Sequence, residues 1–308
     1  MRIAMVGAGG IGGYFGAKLA QAGADVHFIA RGAHLAAMQG SGLIVESEQG
    51  DVVLPRVSAT SDPGAIGSVD LVVIGVKLWD TEDAARTAST LAASGAAVVS
   101  FQNGVRKDQI LRRVLGAGAV IGGVSYIAAS IARPGVIRHV GAMQKLVFGE
   151  FSGAPSPRTD AFLAACQAAG IDAQVSPDIE RATWEKFVFL AALSGATSAM
   201  RSSIGPIREN ARTRAFLLGL MQEVVAVGKA SGVALAEDFA RNRLAFCDTL
   251  PAAMTSSMHG DLERGGRLEL PYLGGDVVEM GERLGVPTPL NRAVLDVLAL
   301  HENGRKAS

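Results

Sequence analysis

The sequence predicts an α/β protein: an N-terminal doubly wound parallel sheet followed by a C-terminal all-α domain. Three observations carry this. The chain opens as strand, glycine-rich turn, helix and strand. Near-continuous apolar strands then alternate with helical segments. Beyond residue 175 the apolar spacing is helical throughout.

The opening strand is the apolar run Ile3-Ala4-Met5-Val6. It ends at Gly7-Ala8-Gly9-Gly10-Ile11-Gly12, a complete G-x-G-x-x-G. Gly12 to Gly23 carries Phe15, Leu19 and Ala22 at helical spacing, and Asp25–Ile29 reads as a second strand. A strand before the glycines and a helix after them is the context this motif requires, so the N-terminal half is Rossmann-type. Gly7 allows the tight turn, Gly9 lets the backbone approach a pyrophosphate, and Gly12 lets helix and strand pack closely. Gly10 and Ile11 complete the expected cofactor-binding turn. The N–H groups and positive dipole end of the helix face the phosphates.

The tip of the second strand selects the dinucleotide. NAD sites place an acid about 20 residues past the glycines to hold the ribose 2′-hydroxyl. Here the chain reads Ile29-Ala30-Arg31-Gly32, and Asp25 is at the other end of the strand. Arg31 is suited to a 2′-phosphate, so the expected cofactor is NADP(H).

Leu43–Glu46 and Asp51–Leu54 flank Ser47-Glu48-Gln49-Gly50, a hairpin pattern. Val69–Val76 is a near-continuous apolar strand, as in a sheet covered on both faces, and ends at Lys77. A helix is expected over Thr81–Ala93, then a strand over Ala96–Phe101 that ends at Gln102-Asn103-Gly104. Ala119–Val124 and Lys145–Gly149 read as further strands. Ligands bind beyond the carboxyl ends of such strands, which is where Lys77 and Asn103 fall. The lysine offers positive charge to the cofactor or a substrate carboxylate, and the asparagine both donates and accepts hydrogen bonds.

The second domain is expected over 176–308, after a dinucleotide domain over 1–175. Val175-Ser176-Pro177-Asp178 reads as a helix entry with Ser176 as N-cap. Helical spacing then marks Asp178–Met200, Arg208–Ser231, Glu237–Phe246, Ala252–Arg264, Leu273–Leu284 and Leu290–His301. A cleft between two domains is the usual place for a small-molecule site. Lys186 and Glu269 each lie among apolar neighbours. Buried charges are costly unless paired, so these two are candidate partners. A partly desolvated lysine held by a carboxylate is suited to general acid catalysis.

Bulk properties bound the function. The chain has 308 residues, 49% hydrophobic and 19% charged, with zero formal net charge. That balance gives no argument for nucleic acid or a membrane surface as partner. Cys166 and Cys247, without a C-x-x-C, make a disulfide framework or structural zinc site unexpected. The five histidines show no metal-ligand spacing, and His259, near Ser257, reads as a surface residue, with a place in the cleft lining as the alternative. No apolar stretch approaches the roughly 18 residues of a transmembrane helix, and the chain begins on a strand without a signal-like segment. The expectation is a cytoplasmic enzyme with a small-molecule substrate, the helical half leaving room for a homodimer.

Taken together, Gly7, Gly9 and Gly12, Arg31, Val76-Lys77, Gln102-Asn103-Gly104, Trp184-Glu185-Lys186, Ser256-Ser257-Met258, Leu268-Glu269 and Gly285–Asn291 resemble, in order and spacing, the ketopantoate reductase (2-dehydropantoate 2-reductase) family. The resemblance covers nearly the full length. It implies NADPH-dependent reduction of a 2-keto acid to a 2-hydroxy acid. It makes Lys186 the proton donor and Glu269 the residue that orients it. It gives cofactor contacts to Lys77, Asn103 and Glu269, and substrate contacts to Lys77, Asn103, Lys186 and Ser257.

The chain also departs from the family pattern. The family's Asn residues four and eight positions after the lysine are here Leu190 and Ser194, both on the lysine's side of a helix because four-residue steps drift only about 40°. A further substrate-contacting Asn is replaced near Ile204, and Pro271 stands where an acid is frequent. A site that loses such amides discriminates differently. Leu190 points to a less polar substrate. Two alternatives stand beside ketopantoate reduction: a related reductase with another carbonyl substrate, and a dinucleotide-binding sensor without turnover.

Overall fold

Strand β1 (Arg2–Val6) shows why the N-terminal half folds as a two-sided sheet. Ile3 and Met5 enter one apolar core, with Phe15, Phe28 and Phe101, while Ala4 and Val6 enter another, with Ile29, Leu91 and Leu111. Strand side chains alternate between faces, so a strand apolar at every position needs cover on both sides. The computed structural model describes residues 1–93 and 95–305.

In chain order β1 is followed by α1 (Gly10–Gln21), β2 (Asp25–Ile29), α2 (Gly32–Ser41), β3 (Leu43–Ser47), β4 (Val52–Leu54), β5 (Ser58–Thr60), β6 (Leu71–Ile74), α3 (Thr81–Ala92) and β7 (Ala97–Ser100). Then come α4 (Lys107–Leu115), β8 (Val120–Arg133), β9 (Val136–Gly149), α5 (Pro157–Ala168) and β10 (Asp172–Val175). Among the described residues these strands form one ten-stranded sheet, ordered β4-β3-β9-β8-β7-β6-β1-β2-β5, with β10 paired to β9. The stretch from β5 to β8 is parallel throughout. Its order reverses between β1 and β6, the switch point at which doubly wound sheets bind ligands.

The predicted hairpin is β3–β4. The short strands predicted near 119–124 and 145–149 are the inner ends of two 14-residue antiparallel strands, β8 and β9. Their outer halves carry exposed Ile131, Val140 and Met143. Beside β8, the buried Lys107 ammonium donates to Asp108 at 2.9 Å and to the Gly123 carbonyl at 3.0 Å. Burial pushes the Asp108 carboxyl up, against the attraction of Lys107.

The remaining elements are helical: α6 (Ile179–Met200), α7 (Ile204–Glu209), α8 (Ala211–Ala230), α9 (Phe239–Asp248), α10 (Ser257–Glu263), α11 (Gly274–Leu284) and α12 (Pro289–Leu298). The cap of α6 is Asp178, whose carboxylate accepts from the Arg181 amide at 3.0 Å. Ser176, predicted as the cap, instead accepts from the Asp178 amide at 3.1 Å, stabilising the turn before the helix. The predicted 208–231 helix is broken because Asn210 caps α8, accepting from the Arg212 and Thr213 amides. Gly285 ends α11 in the left-handed region (φ 70°), and the Glu223 carboxylate holds the Leu290 and Asn291 amides at the start of α12. The Gly285–Asn291 motif is thus a turn between two helices.

Two compact units result: Met1–Asn103 with Lys107–Ala182, and Gly104–Arg106 with Thr183–Ser308. The helical unit has its own core, in which Trp184 and Phe187 of α6 meet edge to face, with Leu217, Leu220, Met221 and Val224 of α8 in the same cluster. Both cysteines are free, buried thiols, pushed up to about 12 (Cys166) and about 11 (Cys247), chiefly by burial. No helix among the described residues is long and apolar enough to cross a membrane.

Candidate active site

In the sheet unit, the turn from β1 into α1 is held on several sides. Gly7 has φ +94°, which an L side chain rarely adopts, and a Cβ there would lie 2.6 Å from Val76. A Cβ on Gly12 would lie 2.0 Å from the Gly7 carbonyl oxygen, so only glycine lets the helix start against the strand end. Gly10 faces the Ala129 carbonyl of β8, which a Cβ would meet at 2.1 Å. Its hydrogen therefore serves packing on the hairpin, a contact the motif alone did not show. The Ile11 side chain packs on the core. Around Gly9 there is open space: a Cβ would come no nearer than 4.0 Å, to the Gly75 carbonyl. No side chain caps α1. Its first amide groups are left unpaired by helix geometry, the arrangement that suits an anion.

A cavity of about 200 Å³ adjoins this turn, lined among others by Gly7, Gly9, Arg31, His34, Asp80 and Thr87. Arg31 is the extended N-cap residue of α2 and is exposed. Asp80, on the cavity wall before α3, is a carboxylate that the strand-tip argument did not include. An amide-lined turn with open space over Gly9, and beside it a cavity that presents the Arg31 guanidinium, fits a dinucleotide phosphate and ribose.

Lys77 and Asn103 occupy equivalent places. Ile74 of β6 pairs with Ser100 of β7, and each functional candidate lies three residues further on. Gln102 ties these ends together. Its amide donates to the Lys77 carbonyl (3.2 Å) and the Thr81 hydroxyl (2.9 Å), while its oxygen accepts from the Ser100 hydroxyl (2.9 Å). Lys77 is exposed, its ammonium 5.6 Å from the Trp79 ring centroid.

In the helical unit, Trp184 and Phe187 of α6 are buried in the core, against which Leu190 also packs. Lys186 and Leu190 are partly buried, and one turn on Ser194 is 1% exposed. The Ser194 hydroxyl is buried without a hydrogen-bond partner. Glu269 is 5% exposed and precedes a 3-10 turn, Leu270–Tyr272, that contains Pro271. Ser257 is the exposed first residue of α10, and its neighbour Ser256 is the cap, accepting from the His259 amide at 3.0 Å. His259 Nδ1 is 2.8 Å from the Thr197 carbonyl, so this ring joins α10 to α6. Ile204 is fully buried at the start of α7.

Family descriptions settle the kinship of these residues. "Ketopantoate reductase PanE/ApbA" matches residues 3–153, and its C-terminal counterpart matches residues 178–302. The chain belongs to the ketopantoate reductase family. A 2-dehydropantoate 2-reductase of Mesorhizobium japonicum is 32% identical, with 96% of each chain covered. YkpB, an uncharacterized oxidoreductase of Bacillus subtilis, is 28% identical over 98% of this chain and 99% of its own. The crystal structure of a PanE/ApbA family ketopantoate reductase from Ralstonia eutropha superposes with a TM-score of 0.89 at 35% identity, covering 98% of each chain. Family membership makes the protein an oxidoreductase acting on a CH–OH group with a nicotinamide cofactor.

Sequence reasoning missed Asp276, in the first turn of α11. Its carboxylate, 5% exposed, accepts from Arg106 at 3.0 Å, and Arg106 also pairs with Glu279. Burial pushes the Asp276 carboxyl up to about 7, with Arg106 opposing. An unfolded Asp titrates near 3.9, so the folded state holds the proton over the window between. Stability contributed by this group therefore declines as pH rises from about 4 to about 7. Asp276→Asn is expected to gain melting temperature relative to wild type across that window and to level off above it. Parallel thermal melts of the two proteins against pH check this.

Proposed function

We propose that the chain catalyses NADPH-dependent reduction of a 2-keto acid to its 2-hydroxy acid, the substrate being ketopantoate or a less polar relative. The observation that carries the cofactor reading is the single cavity shared by Gly7, Gly9 and Arg31. The turn amides hold the pyrophosphate and Arg31 holds a 2′-phosphate through charge-assisted hydrogen bonds. When bound, the reduced nicotinamide supplies a hydride to the keto carbon.

The rest falls to this chain's residues. Negative charge develops on the keto oxygen as the carbonyl π bond breaks, and a donor placed there lowers the barrier. Lys186 is that donor: its ammonium hydrogen-bonds the oxygen and then transfers a proton to it, to be replaced from solvent. Glu269 orients the ammonium. Lys77 and Asn103 contact cofactor and substrate, and the Ser257 hydroxyl hydrogen-bonds the substrate. Leu190 and Ser194 lie on the Lys186 face of α6.

Leu190 favours the less polar substrate. An apolar side chain one helical turn from the proton donor leaves a substrate hydroxyl without the amide that other family members supply. A panel of 2-keto acids assayed with NADPH tests this. Branched apolar keto acids are expected to exceed ketopantoate in kcat/KM. Leu190→Asn is expected to raise the ratio for ketopantoate about tenfold, the worth of one net hydrogen bond. Equal ratios in both proteins would remove the role given to Leu190. Tight NADPH binding with no turnover on any member of the panel would favour a sensor.

A further inference from the structure

His34 lies in the first turn of α2, three residues after Arg31, and lines the same cavity. Both of its ring nitrogens are committed to backbone groups. Nε2 is 2.9 Å from the carbonyl oxygen of Ala8, inside the glycine turn. Nδ1 accepts the Gly135 amide hydrogen at 3.1 Å. Gly135 has φ +76° at the tip of the β8–β9 hairpin, and its carbonyl accepts from the Ile44 amide of β3 at 3.0 Å. An amide N–H only donates, so Nδ1 carries no proton. Nε2 must then carry one to donate to Ala8. The ring is neutral, in one tautomer, and joins α2, the glycine turn and the hairpin.

We propose that His34 is a positioning residue for the cofactor, a neutral imidazole clasp that aims the glycine-turn amides and opens when the ring is protonated. The proposal rests on the dinucleotide reading above. The physical link is peptide planarity: the Ala8 carbonyl and the Gly9 N–H belong to one rigid peptide plane, so gripping the oxygen fixes the direction of the N–H. Gly9 on one side of that plane has no Cβ to restrict its φ, so the plane is held chiefly by Ala8 and by what grips its oxygen from outside the turn. Protonation at Nδ1 would set N–H against the Gly135 N–H and break the clasp. Burial also disfavours the charged ring and lowers its pKa, while the Ala8 carbonyl acts in the opposite direction. The charged groups that share its cavity are Arg31 at the cap of α2 and Asp80; on the hairpin, two residues before Gly135, Arg133 is paired with Glu46 at 3.0 Å. The glycine turn contributes none.

The test measures NADPH dissociation constants by calorimetry from about pH 8 to about pH 5, across the histidine range. It also measures amide hydrogen exchange of Gly9–Gly12 in the unliganded protein. Wild type is expected to bind more weakly as pH falls below the ordinary histidine range. His34→Ala is expected to bind about tenfold more weakly at neutral pH, the loss of a net hydrogen bond, and to exchange these amides faster. His34→Gln keeps an acceptor and a donor, so it is expected to recover much of the affinity and to lose the part of the acid-side weakening that exceeds protonation of the 2′-phosphate. Thermal melts confirm that each variant is folded. Unchanged affinity in His34→Ala, or an acid loss in His34→Gln equal to that of wild type when the titration is repeated with NADH, which has no 2′-phosphate to protonate, would overturn the proposal. Faster exchange in His34→Ala with no nucleotide bound by wild type would overturn the dinucleotide reading and the cofactor role, and leave only the clasp.

Discussion

Lys186→Ala is expected to lower kcat for 2-keto acid reduction by about 10²–10⁴-fold, the range for loss of a positioned general acid. NADPH affinity is expected to hold, because the residues assigned to the dinucleotide phosphates, Gly7, Gly9, Gly12 and Arg31, are all in the sheet unit. Steady-state kinetics with direct cofactor titration separates the two quantities. Lys186→Arg should not restore the rate, since guanidinium keeps its proton where an ammonium can release it. A rate within a few-fold of wild type in Lys186→Ala would remove the proton-donor role.

Arg31→Ala is expected to weaken NADPH by about 10–100-fold while leaving NADH nearly unchanged. A charge-assisted hydrogen bond to phosphate is worth about 1.5–3 kcal/mol, and NADH has no 2′-phosphate to lose. Asp80 sharpens this expectation. It lines the same cavity, so with Arg31 removed a carboxylate is left facing the nucleotide. The NADPH/NADH preference should therefore fall steeply or reverse. An unchanged ratio would contradict the assignment of NADP(H).

The opening βαβ unit was legible because its signals are local. Gly7 turns at φ +94° and Gly12 abuts the Gly7 carbonyl, both within six residues. The strand ends at Lys77 and Asn103 were legible for the same reason, each closing an apolar run. What escaped depends on distant segments. The outer halves of β8 and β9 mix exposed Ile131, Val140 and Met143 with small and charged residues, so only their buried inner ends read as strands. His34 reached from α2 to Gly135, 101 residues away, through backbone groups that any residue carries. Gly10 belongs to the expected phosphate turn, and its tight contact with Ala129, far along the chain, is one that the motif could not show. Asp276 gave no signal, because its partner Arg106 follows the Asn103-Gly104 turn.

The helical half shows the same division. Its apolar spacing placed the long helices, but caps decided where they break: Asn210 divides what spacing alone joined. Glu223 is another case. A lone glutamate on α8 reads as a solvated surface residue, and its hold on the Leu290 and Asn291 amides follows only from the packing of α12 against α8.

The most direct test of the account follows the label in a single turnover series. Reduced NADPH carrying deuterium at its transferable position is incubated with the enzyme and a branched 2-keto acid, and the product is analysed by mass spectrometry and NMR. The account predicts one deuterium bonded to C2 of the 2-hydroxy acid and loss of that product in Lys186→Ala. A hydroxy acid without deuterium at C2, or no hydroxy acid from any 2-keto acid offered, would contradict it.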